Sequence, residues 1–338
     1  MCQSVQAPSR ASLISCWVVT DGKPGMENQC LGLAEALGLA PEIKRVRLRQ
    51  PWRWLSPYLR LGKRFAAGPA GDLLTPPWPD LVIATGRHSV VPALAARAGG
   101  GGRTFLVQIQ NPAINLALFD LVVVPRHDRL RGANVIVTRG ALHRVTAKQL
   151  ESAAARLGTR FDHLPRPRVA VLIGGDNGVY RLSRERMAEI AGQLAGLCRT
   201  YGAGLLVTPS RRTGAENTEV LRQGLQGLPA IVWDGRGENP YFAFLGMADA
   251  IVVTCDSVSM VSEACSTGKP VYVIGLEGGS RKFSAFLDGL RQDGVARPFV
   301  GELDHWDYVP LDDTRMVAEE IRRRLPVLVA LSEEPKGG

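Results

Sequence analysis

The clearest indication of how this chain folds lies in the segment VAVLIGGDNGVYRLS, residues 169–183. Five apolar residues predict a buried strand, Gly174 and Gly175 end it, and Ser183 can cap a following helix. A strand, a glycine turn and a helix in this order form the repeating unit of a parallel sheet. Glycine turns also let backbone N–H groups approach a phosphate. An ordinary strand-to-helix turn is an equal alternative, because the Asp176 carboxylate would repel a phosphate.

The alternation of apolar and amphipathic stretches extends in both directions from this segment. The first part of the chain has predicted strands at 14–19, 43–48, 81–84, 104–109, 121–124 and 135–138, and predicted helices at 28–37, 90–97 and 147–157. The second part has further predicted strands at 205–208, 230–233, 251–254 and 271–274, and predicted helices at 183–200, 213–224, 241–247, 258–266, 282–292 and 313–331. The proline-rich FDHLPRPR at 161–168 predicts a linker between the two parts.

We therefore predict the α/β class, with two Rossmann-like domains facing a cleft at the carboxyl ends of their strands, where such folds bind ligands. The predicted domains are a basic N-terminal one at 1–160 and a C-terminal one at 161–312. The last helix, within 313–338, is expected to cross back to the first domain.

Composition fits this organisation and excludes other classes. Of the 338 residues, 45% are hydrophobic and 22% are charged, so two domains can each bury a core. No apolar run reaches the roughly 20 residues that span a bilayer. The six cysteines and five histidines are scattered without a CxxC pair, which argues against a structural zinc site. Reduced thiols in a cytoplasmic protein are the expected state.

Positive charge is concentrated in the first half of the chain. Residues 1–160 hold 21 Lys and Arg against 9 Asp and Glu, a net charge of +12, whereas residues 161–338 hold 20 against 23, a net charge of −3. This asymmetry predicts an anionic partner for the first half. The stretch 44–64 has eight Lys and Arg and no acid. Its candidate residues for contact with a membrane or an acceptor are Trp52, Arg53, Trp54, Arg60, Lys63 and Arg64.

Basic residues interleaved with aromatic residues are compatible with three roles. They suit the surface of an anionic bilayer, a single-stranded nucleic acid, or a helix whose aromatic side chains belong to the core. No nucleic-acid motif accompanies the stretch 44–64. We therefore expect peripheral binding to the inner face of the membrane and no nucleic-acid partner.

A second informative loop is TCDSVSMVSEACSTGKP, residues 254–270, which follows a predicted buried strand and opens a helix. The first N–H groups of a helix have no partner within it and attract anions. Here they belong to the segment Ser257, Val258, Ser259 and Met260. Glu263 lies about one turn further on and can accept hydrogen bonds from ribose hydroxyls. The plainer interpretation makes Ser257 an N-cap and Glu263 a solvent-exposed helix residue.

Together the two loops resemble the peptidoglycan N-acetylglucosaminyltransferase family, whose fold is of the glycosyltransferase-B type. GGDNG at 174–178 is similar to that family's Gly-Gly-Ser-Gln-Gly turn, and AFLGMADAIVVTCDSVSMVSEA at 243–264 is similar to a later stretch in order and spacing. The resemblance implies that the turn and the helix N-terminus hold the donor diphosphate and that Glu263 holds the ribose. The turn residues concerned are Gly174, Gly175, Asp176 and Asn177, of which Asp176 replaces a serine of that family.

A resemblance to a second family covers most of the chain. TDGKPGMENQCLGLAEALG at 20–38, ENPYFAFLGMADAIVVT at 238–254 and DSVSMVSEA at 256–264 resemble the plant "elongated mitochondria" fission-factor family and its bacterial relatives. Members of that family are grouped with glycosyltransferases, and some bacterial members carry a sugar-nucleotide epimerase label. The resemblance identifies the relatives of this chain more firmly than it identifies a reaction.

Two arginines add a candidate site for the leaving diphosphate. Arg211 and Arg212 lie in TPSRRTG at 208–214, directly after a predicted strand. In a metal-independent glycosyltransferase some cation or helix dipole must neutralise the diphosphate, and guanidinium groups suit that task. The plainer interpretation is a solvated pair of charges before a helix.

Two loops of the N-terminal half contain candidate catalytic groups. DGKPGMENQ at 21–29 follows the first predicted strand and contributes Asp21 and Glu27. TGRHS at 85–89 follows another strand and contributes His88, which can act as a base at neutral pH, although a lone histidine is more often structural. Neither loop has the glycine pattern of a dinucleotide fold or a P-loop.

These observations favour a metal-independent glycosyltransferase. We expect the C-terminal domain to hold a nucleoside-diphosphate sugar as substrate, with no further cofactor, and the N-terminal domain to hold an unidentified acceptor, for which a lipid-linked molecule is a candidate. Two alternatives stay open: a nucleotide-sugar epimerase of the same fold, and a non-catalytic membrane-associated fission or scaffold protein. An epimerase of the short-chain dehydrogenase type is excluded, because no tyrosine has a lysine four positions on.

Overall fold

The computed structural model describes residues 14–59, 62–63 and 66–325. Its strands are β1 (Cys16–Thr20), β2 (Glu42–Arg45), β3 (Leu81–Thr85), β4 (Phe105–Ile109), β5 (Leu121–Pro125), β6 (Val135–Thr138), β7 (Arg168–Ile173), β8 (Tyr180–Arg181), β9 (Gly204–Pro209), β10 (Ala230–Val232), β11 (Ala250–Thr254), β12 (Val271–Ile274), β13 (Glu277–Gly278) and β14 (Ala296–Pro298). Its helices are α1 (Pro24–Ala36), α2 (Trp52–Leu55), α3 (Val90–Gly99), α4 (Ala147–Leu157), α5 (Arg184–Tyr201), α6 (Gly214–Gly224), α7 (Tyr241–Met247), α8 (Val258–Cys265), α9 (Arg281–Gln292) and α10 (Asp313–Arg324).

The chain divides into two units, and the first takes in the residues up to Arg144 and those from Asp312 onward. Within its described part, six parallel strands form one sheet in the order β2-β1-β3-β4-β5-β6. The central strands are buried on both faces because helices cover both sides of a parallel sheet. One face packs against α1 and α10 through residues such as Leu33, Val317 and Ile321. The opposite face packs against α3.

The second unit comprises Val145–Leu311 and repeats this architecture. Its described residues form a six-stranded parallel sheet in the order β10-β9-β7-β11-β12-β14. From β7 the chain first proceeds to β9 and β10 on one side, then returns to β11 and continues to β12 and β14 on the other side. The strand order of the second sheet therefore reverses between β7 and β11. In the first sheet it reverses in the same way between β1 and β3.

The predicted α/β class with two parallel sheets is confirmed, and each predicted strand appears within a few residues of its expected place. Helix α1 begins at Pro24 rather than 28, because proline has the backbone angle of a first helical residue and needs no N–H partner there. The short elements α2, β8, β13 and β14 were not predicted, since two to four residues are too few to show a periodicity. Among the described residues, no helix combines the length and the apolar character that crossing a bilayer requires.

The boundary between the units lies at Arg144 rather than in the proline-rich segment at 161–168. Helix α4 packs closely on α7 within the second unit. At Gly246 a side chain would come within 2.7 Å of the Leu150 carbonyl oxygen, so glycine allows the two helices to approach. This packing, which the linker pattern does not reveal, makes residues 147–157 part of the second unit.

Candidate functional site

The candidate site of the second unit lies at the point where the strand order of its sheet reverses. Gly174 and Gly175 follow β7, and Asp256 and Ser257 follow β11, which is the adjacent parallel strand. The two connections leave the sheet edge in opposite directions, and this opening is where ligands bind in open α/β sheets.

A buried carboxylate organises this edge of the sheet. The Asp256 side chain is fully buried and accepts hydrogen bonds from the Thr254 hydroxyl at 2.6 Å, from the Gly175 N–H at 3.1 Å and from Arg212 Nη2 at 2.5 Å. These donors compensate a charge that would be costly to bury alone. At Gly174 a Cβ atom would lie 2.1 Å from the Asp256 carboxylate, so only glycine fits there.

The N–H groups of the glycine turn have partners inside the protein. Those of Gly174 and Gly175 donate to Thr254 and Asp256, that of Asp176 donates to the Arg212 carbonyl at 3.3 Å, and that of Asn177 donates to a carbonyl at 3.0 Å. Direct binding of a diphosphate by the turn stays a prediction, and it would require these bonds to be exchanged.

The side chains of the turn also stabilise the loop itself. Asp176 Oδ1 accepts from the Leu182 N–H at 2.7 Å, and Asn177 Nδ2 donates to the Asp256 carbonyl at 2.9 Å. The departure from the peptidoglycan-enzyme pattern at Asp176 thus has a structural use: the carboxylate holds the end of its own loop.

The N-terminus of α8 has donors that the glycine turn lacks. Ser257 caps the helix, and its hydroxyl accepts from the Met260 N–H at 3.2 Å. The first two N–H groups of the helix, those of Val258 and Ser259, have no partner among the residues that the structure describes. Because helix N-termini carry partial positive charge, these two groups are the available anion donors at this edge.

Glu263 is buried, so the plainer interpretation, which made it a solvent-exposed helix residue, is wrong. The residue is 8% exposed, and its Oε2 accepts a hydrogen bond of 2.5 Å from the Tyr241 hydroxyl. Burial raises the pKa of the Glu263 carboxyl to about 7, and the hydrogen bond from Tyr241 opposes that rise. The role of Tyr241 was not predicted, because nothing in the sequence signals which helix packs against α8.

The two candidate arginines differ in their surroundings. Arg212 is engaged by Asp256, whereas Arg211 is exposed and has no ion pair among the described residues. The predicted pair of diphosphate-binding arginines therefore contains one residue that already neutralises a buried carboxylate and one whose charge is available.

The candidate catalytic residues of the first unit lie at the reversal between β1 and β3. Asp21 Oδ2 lies 2.6 Å from Lys23 Nζ and 3.8 Å from His88 Nδ1. Burial lowers the pKa of His88, the Asp21 carboxylate opposes this, and nearby cations, Lys23 among them, lower it further. The lowered pKa favours the neutral imidazole, which is able to accept a proton.

Glu27 has a different situation from Asp21 and His88. It lies in the first turn of α1 rather than in a loop, because the helix begins at Pro24. Both of its carboxylate oxygens accept from Arg45, at 2.8 and 2.7 Å. This double hydrogen bond is typical of a carboxylate that holds structure.

The basic stretch presents aromatic and apolar side chains to solvent. Trp54 is 72% exposed, Leu55 is 50% exposed and Tyr58 is 67% exposed, so the alternative of a core role is wrong for these residues. Arg87 holds the stretch by donating to the backbone carbonyls of Ser56 and Trp54.

The remaining candidates of the stretch are distributed as follows. Trp52 and Lys63 are partly buried and Arg53 is exposed. Arg60 and Arg64 lie outside the described residues. In the part of the chain that the structure describes, no group of three or more His, Cys, Asp and Glu side chains could hold a metal ion.

Comparison with known proteins identifies the relatives of the chain. The model of the family described as "Mitochondrial fission ELM1" matches residues 24–325. The chain belongs to the mitochondrial fission ELM1 family. The ELM1-family chain is 32% identical to "Mitochondrial fission protein ELM1" of Arabidopsis thaliana, over 91% of this chain and 90% of that protein. It is 25% identical to the uncharacterized protein RP120 of Rickettsia prowazekii, over 93% of this chain and 99% of that protein. The predicted family resemblance is thus confirmed.

A solved structure supports the fold. The chain is similar to the UDP-GlcNAc 2-epimerase of Methanocaldococcus jannaschii, crystallised in complex with UDP-GlcNAc and UDP, with a TM-score of 0.53. The similarity covers 93% of this chain and 99% of that one at 12% sequence identity, so it concerns the fold alone. The ELM1-family chain therefore has the two-unit α/β fold of the glycosyltransferase-B type.

Proposed function

We propose that this chain transfers a sugar from a nucleoside-diphosphate sugar to a hydroxyl group of an acceptor. The observation that carries the proposal is the arrangement of α8: its free N-terminal donors lie at the reversal of the second sheet, and a buried carboxylate follows one turn later. Donors for a diphosphate and an acceptor for ribose hydroxyls are the two groups that a nucleotide-sugar site needs.

The diphosphate is assigned to the N-terminus of α8. The N–H groups of Val258 and Ser259 donate to phosphate oxygens, and the positive end of the helix dipole favours the added charge. Arg211 supplies a full positive charge from the loop after β9. In the sheet, β9 is separated from β11, the strand that precedes α8, by β7 alone. Arg212 acts indirectly, by holding Asp256 and with it the start of α8.

The ribose is assigned to Glu263. Its Oε2 is taken by Tyr241, and its Oε1 has no hydrogen-bond partner among the described residues. A carboxylate oxygen has two lone pairs, so Oε1 can accept from both ribose hydroxyls.

The acceptor is assigned to the first unit. Neutral His88 accepts the proton of the acceptor hydroxyl, and Asp21 stabilises the imidazolium that forms. The acceptor oxygen bonds to the anomeric carbon as the bond from that carbon to the diphosphate breaks. The diphosphate leaves with the electron pair, and its charge is neutralised by the helix N-terminus and Arg211.

Binding to an anionic membrane surface is part of the proposed function. Trp54, Leu55 and Tyr58 are exposed apolar and aromatic residues, and the stretch 44–64 that contains them has eight basic residues and no acid. Such a combination favours insertion of the aromatic side chains at the level of anionic headgroups. A lipid-linked acceptor would be presented at that surface.

Incubation with a panel of nucleotide sugars and analysis of the products tests this function. Calorimetry with each nucleoside diphosphate, with and without a chelator, first identifies the base and should show binding in both cases. Release of the nucleoside diphosphate with a new glycosidic bond supports transfer. A sugar of changed configuration that is still attached to the nucleotide would identify an epimerase instead, and binding without turnover would identify a scaffold. A strict requirement for a divalent ion would contradict the metal-independent site.

A further inference from the structure

Tyr241 is fixed in place at the start of α7. Its N–H donates to the Asn239 side chain at 3.0 Å, and its ring packs edge-on against Phe242, with ring centroids 5.6 Å apart. From this position the phenol reaches Oε2 of Glu263 on α8 at 2.5 Å. The donor side chain is partly buried and the acceptor is buried, so water competes little for this bond.

We propose that Tyr241 is a positioning residue that holds one oxygen of the Glu263 carboxylate and thereby directs the other toward the hydroxyls of a ribose. This role rests on the proposed function. A free carboxylate can rotate about its last bond and offer either oxygen, whereas a carboxylate held at Oε2 offers Oε1 in one orientation. Fixing the orientation in advance lowers the entropy that binding would otherwise cost.

Tyr241 also affects the charge of Glu263. Burial raises the pKa of the Tyr241 phenol well above its usual value, so at neutral pH it keeps its proton and acts as a donor. A donated hydrogen bond favours the charged form of a carboxyl group. It therefore counteracts the burial that raises the pKa of Glu263 to about 7.

Charged side chains of neighbouring segments are engaged elsewhere. Arg156 on α4 pairs with Glu238 before α7, and Lys269 after α8 donates from Nζ to the Leu245 and Gly246 carbonyls at 2.5 and 2.7 Å. At the start of α8 itself, Asp256 is paired with Arg212, as described above. The Tyr241 phenol is thus the side chain that acts on the Glu263 carboxyl in the described part of the second unit.

The substitution Tyr241→Phe in the full chain tests this role, with uridine diphosphate, or the nucleoside diphosphate found to bind best, as the probe. Loss of the phenol should raise the pKa of Glu263 further and leave the carboxyl protonated near pH 7. The Kd should rise roughly tenfold at pH 7, the size expected for a hydrogen bond to a charged group, and about twofold at pH 8.5, where the carboxylate forms again. The variant Tyr308→Phe is the matched control, because it removes a phenol that donates to the Lys269 carbonyl at 2.8 Å.

A second measurement needs no ligand. In protein labelled with ¹³C at the glutamate carboxyl, Glu263 is assigned by the signal lost in Glu263→Gln, and its titration should move to higher pH in Tyr241→Phe and stay unchanged in Tyr308→Phe. An unmoved titration overturns the role of Tyr241. An equal loss of affinity at both pH values does so as well, because a merely structural defect does not depend on the charge of Glu263.

The wild type provides a separate check should Tyr241→Phe fail to fold. Its affinity for the nucleotide should increase about tenfold between pH 6 and pH 8, as Glu263 ionises, and a flat profile overturns the assignment. A wild type in which Glu263 titrates near neutrality but no nucleoside diphosphate binds contradicts the proposed function, and the ribose role of Tyr241 with it.

Discussion

Arg212 and Asp256 join two loops of the second unit through a hydrogen bond of 2.5 Å from the guanidinium to a fully buried carboxylate. The arginine follows β9 and the aspartate follows β11, and β7 lies between these strands in the sheet. The glycine turn after β7 donates to the same carboxylate through Gly175. One side chain thus connects the three loops at the edge where the strand order reverses.

Removal of this guanidinium should destabilise the protein. We expect Arg212→Met to lower the free energy of unfolding by about 1–3 kcal/mol, because it leaves a buried charge with one donor fewer. The matched control is Arg211→Met, a substitution at the preceding residue. Arg211 is exposed, so this substitution should change the free energy of unfolding by less than about 0.5 kcal/mol. Urea unfolding of both variants measures the difference. Equal stabilities of the two variants would show that the buried Asp256 carboxylate does not need Arg212 as a hydrogen-bond donor.

The same two variants should show the reverse order in ligand binding. Loss of Arg211 should weaken uridine diphosphate binding by roughly fivefold or more, because a charge-assisted contact to the diphosphate is removed. Binding of uridine, which has no phosphate, should hardly change. Calorimetry with the two ligands measures both effects. If Arg211→Met binds the diphosphate as tightly as the wild type does, the arginine lies outside the donor site.

Gly174 should tolerate no side chain. Gly174→Ala would place Cβ 2.1 Å from the Asp256 carboxylate, so that carboxylate and its partners must shift, at a cost of roughly 1–3 kcal/mol or more. Gly178 in the same loop has open space around it, and Gly178→Ala should be nearly neutral. Thermal unfolding of the two variants tests the contrast. A Gly174→Ala protein with wild-type stability would mean that the Asp256 side chain can move without a loss of folding free energy.

Glu263 should make the protein less stable as pH rises. Its folded-state pKa of about 7 exceeds the ordinary value of 4.5, so between these values the folded protein binds more protons than the unfolded chain does. The free energy of unfolding therefore falls across this range, by about 3 kcal/mol for this group at most. Urea unfolding from pH 5 to pH 7.5 should show the decline in the wild type relative to Glu263→Gln. Their difference separates Glu263 from His88, whose lowered pKa acts in the opposite direction. Parallel profiles would contradict the prediction.

The basic stretch should bind anionic vesicles. Replacing Arg47, Arg49 and Arg53, which are exposed, by glutamine should weaken partitioning by about 100-fold, since each basic residue near such a surface contributes ~1 kcal/mol. The control replaces three other exposed arginines of the first unit, Arg103, Arg129 and Arg131. Co-sedimentation at two salt concentrations measures the effect, which should shrink as salt screens the charges.

The apolar part of this surface has its own signature. The substitution Trp54→Ala should reduce the vesicle binding that persists at high salt, because Trp54 is 72% exposed and its ring contributes hydrophobic contact that salt does not screen. If the wild-type protein stays in the supernatant even at low salt, the proposed binding to an anionic membrane surface is wrong.

The sequence predicted the fold because buried parallel strands leave a strong signal. Strands such as β7 and β11 contain apolar runs, at 169–173 and 250–253, and the turns after them contain glycines and helix caps. The strand β14 left no such signal, since its three residues include Arg297 and a proline. The boundary at Arg144 was also missed, because it depends on how α4 packs rather than on local composition.

The candidate site was predictable only in part. The order of strands and loops indicates which segments meet at the sheet edge, and the sequence therefore pointed to the loops after β7, β9 and β11. It did not reveal the pairs that set their chemistry. Arg212 and Asp256 are 44 residues apart in the chain, and Tyr241 and Glu263 are 22 apart. Such partners are determined by packing, which is why the sequence left a solvent-exposed Glu263 open as an alternative, whereas the structure buries it.

Helix α10 has a consequence for the order in which the protein can be assembled. Asp313 at its start accepts from the N–H groups of Arg139 and Gly140, and its apolar side packs on α1, so the first unit is completed by residues that lie beyond the second unit in the chain. A ribosome makes the whole of the second unit before it reaches α10. The second unit can therefore fold during synthesis, whereas the side of α1 that packs on α10 stays uncovered until α10 has been synthesised. The half of the protein that is synthesised first is the half that is finished last.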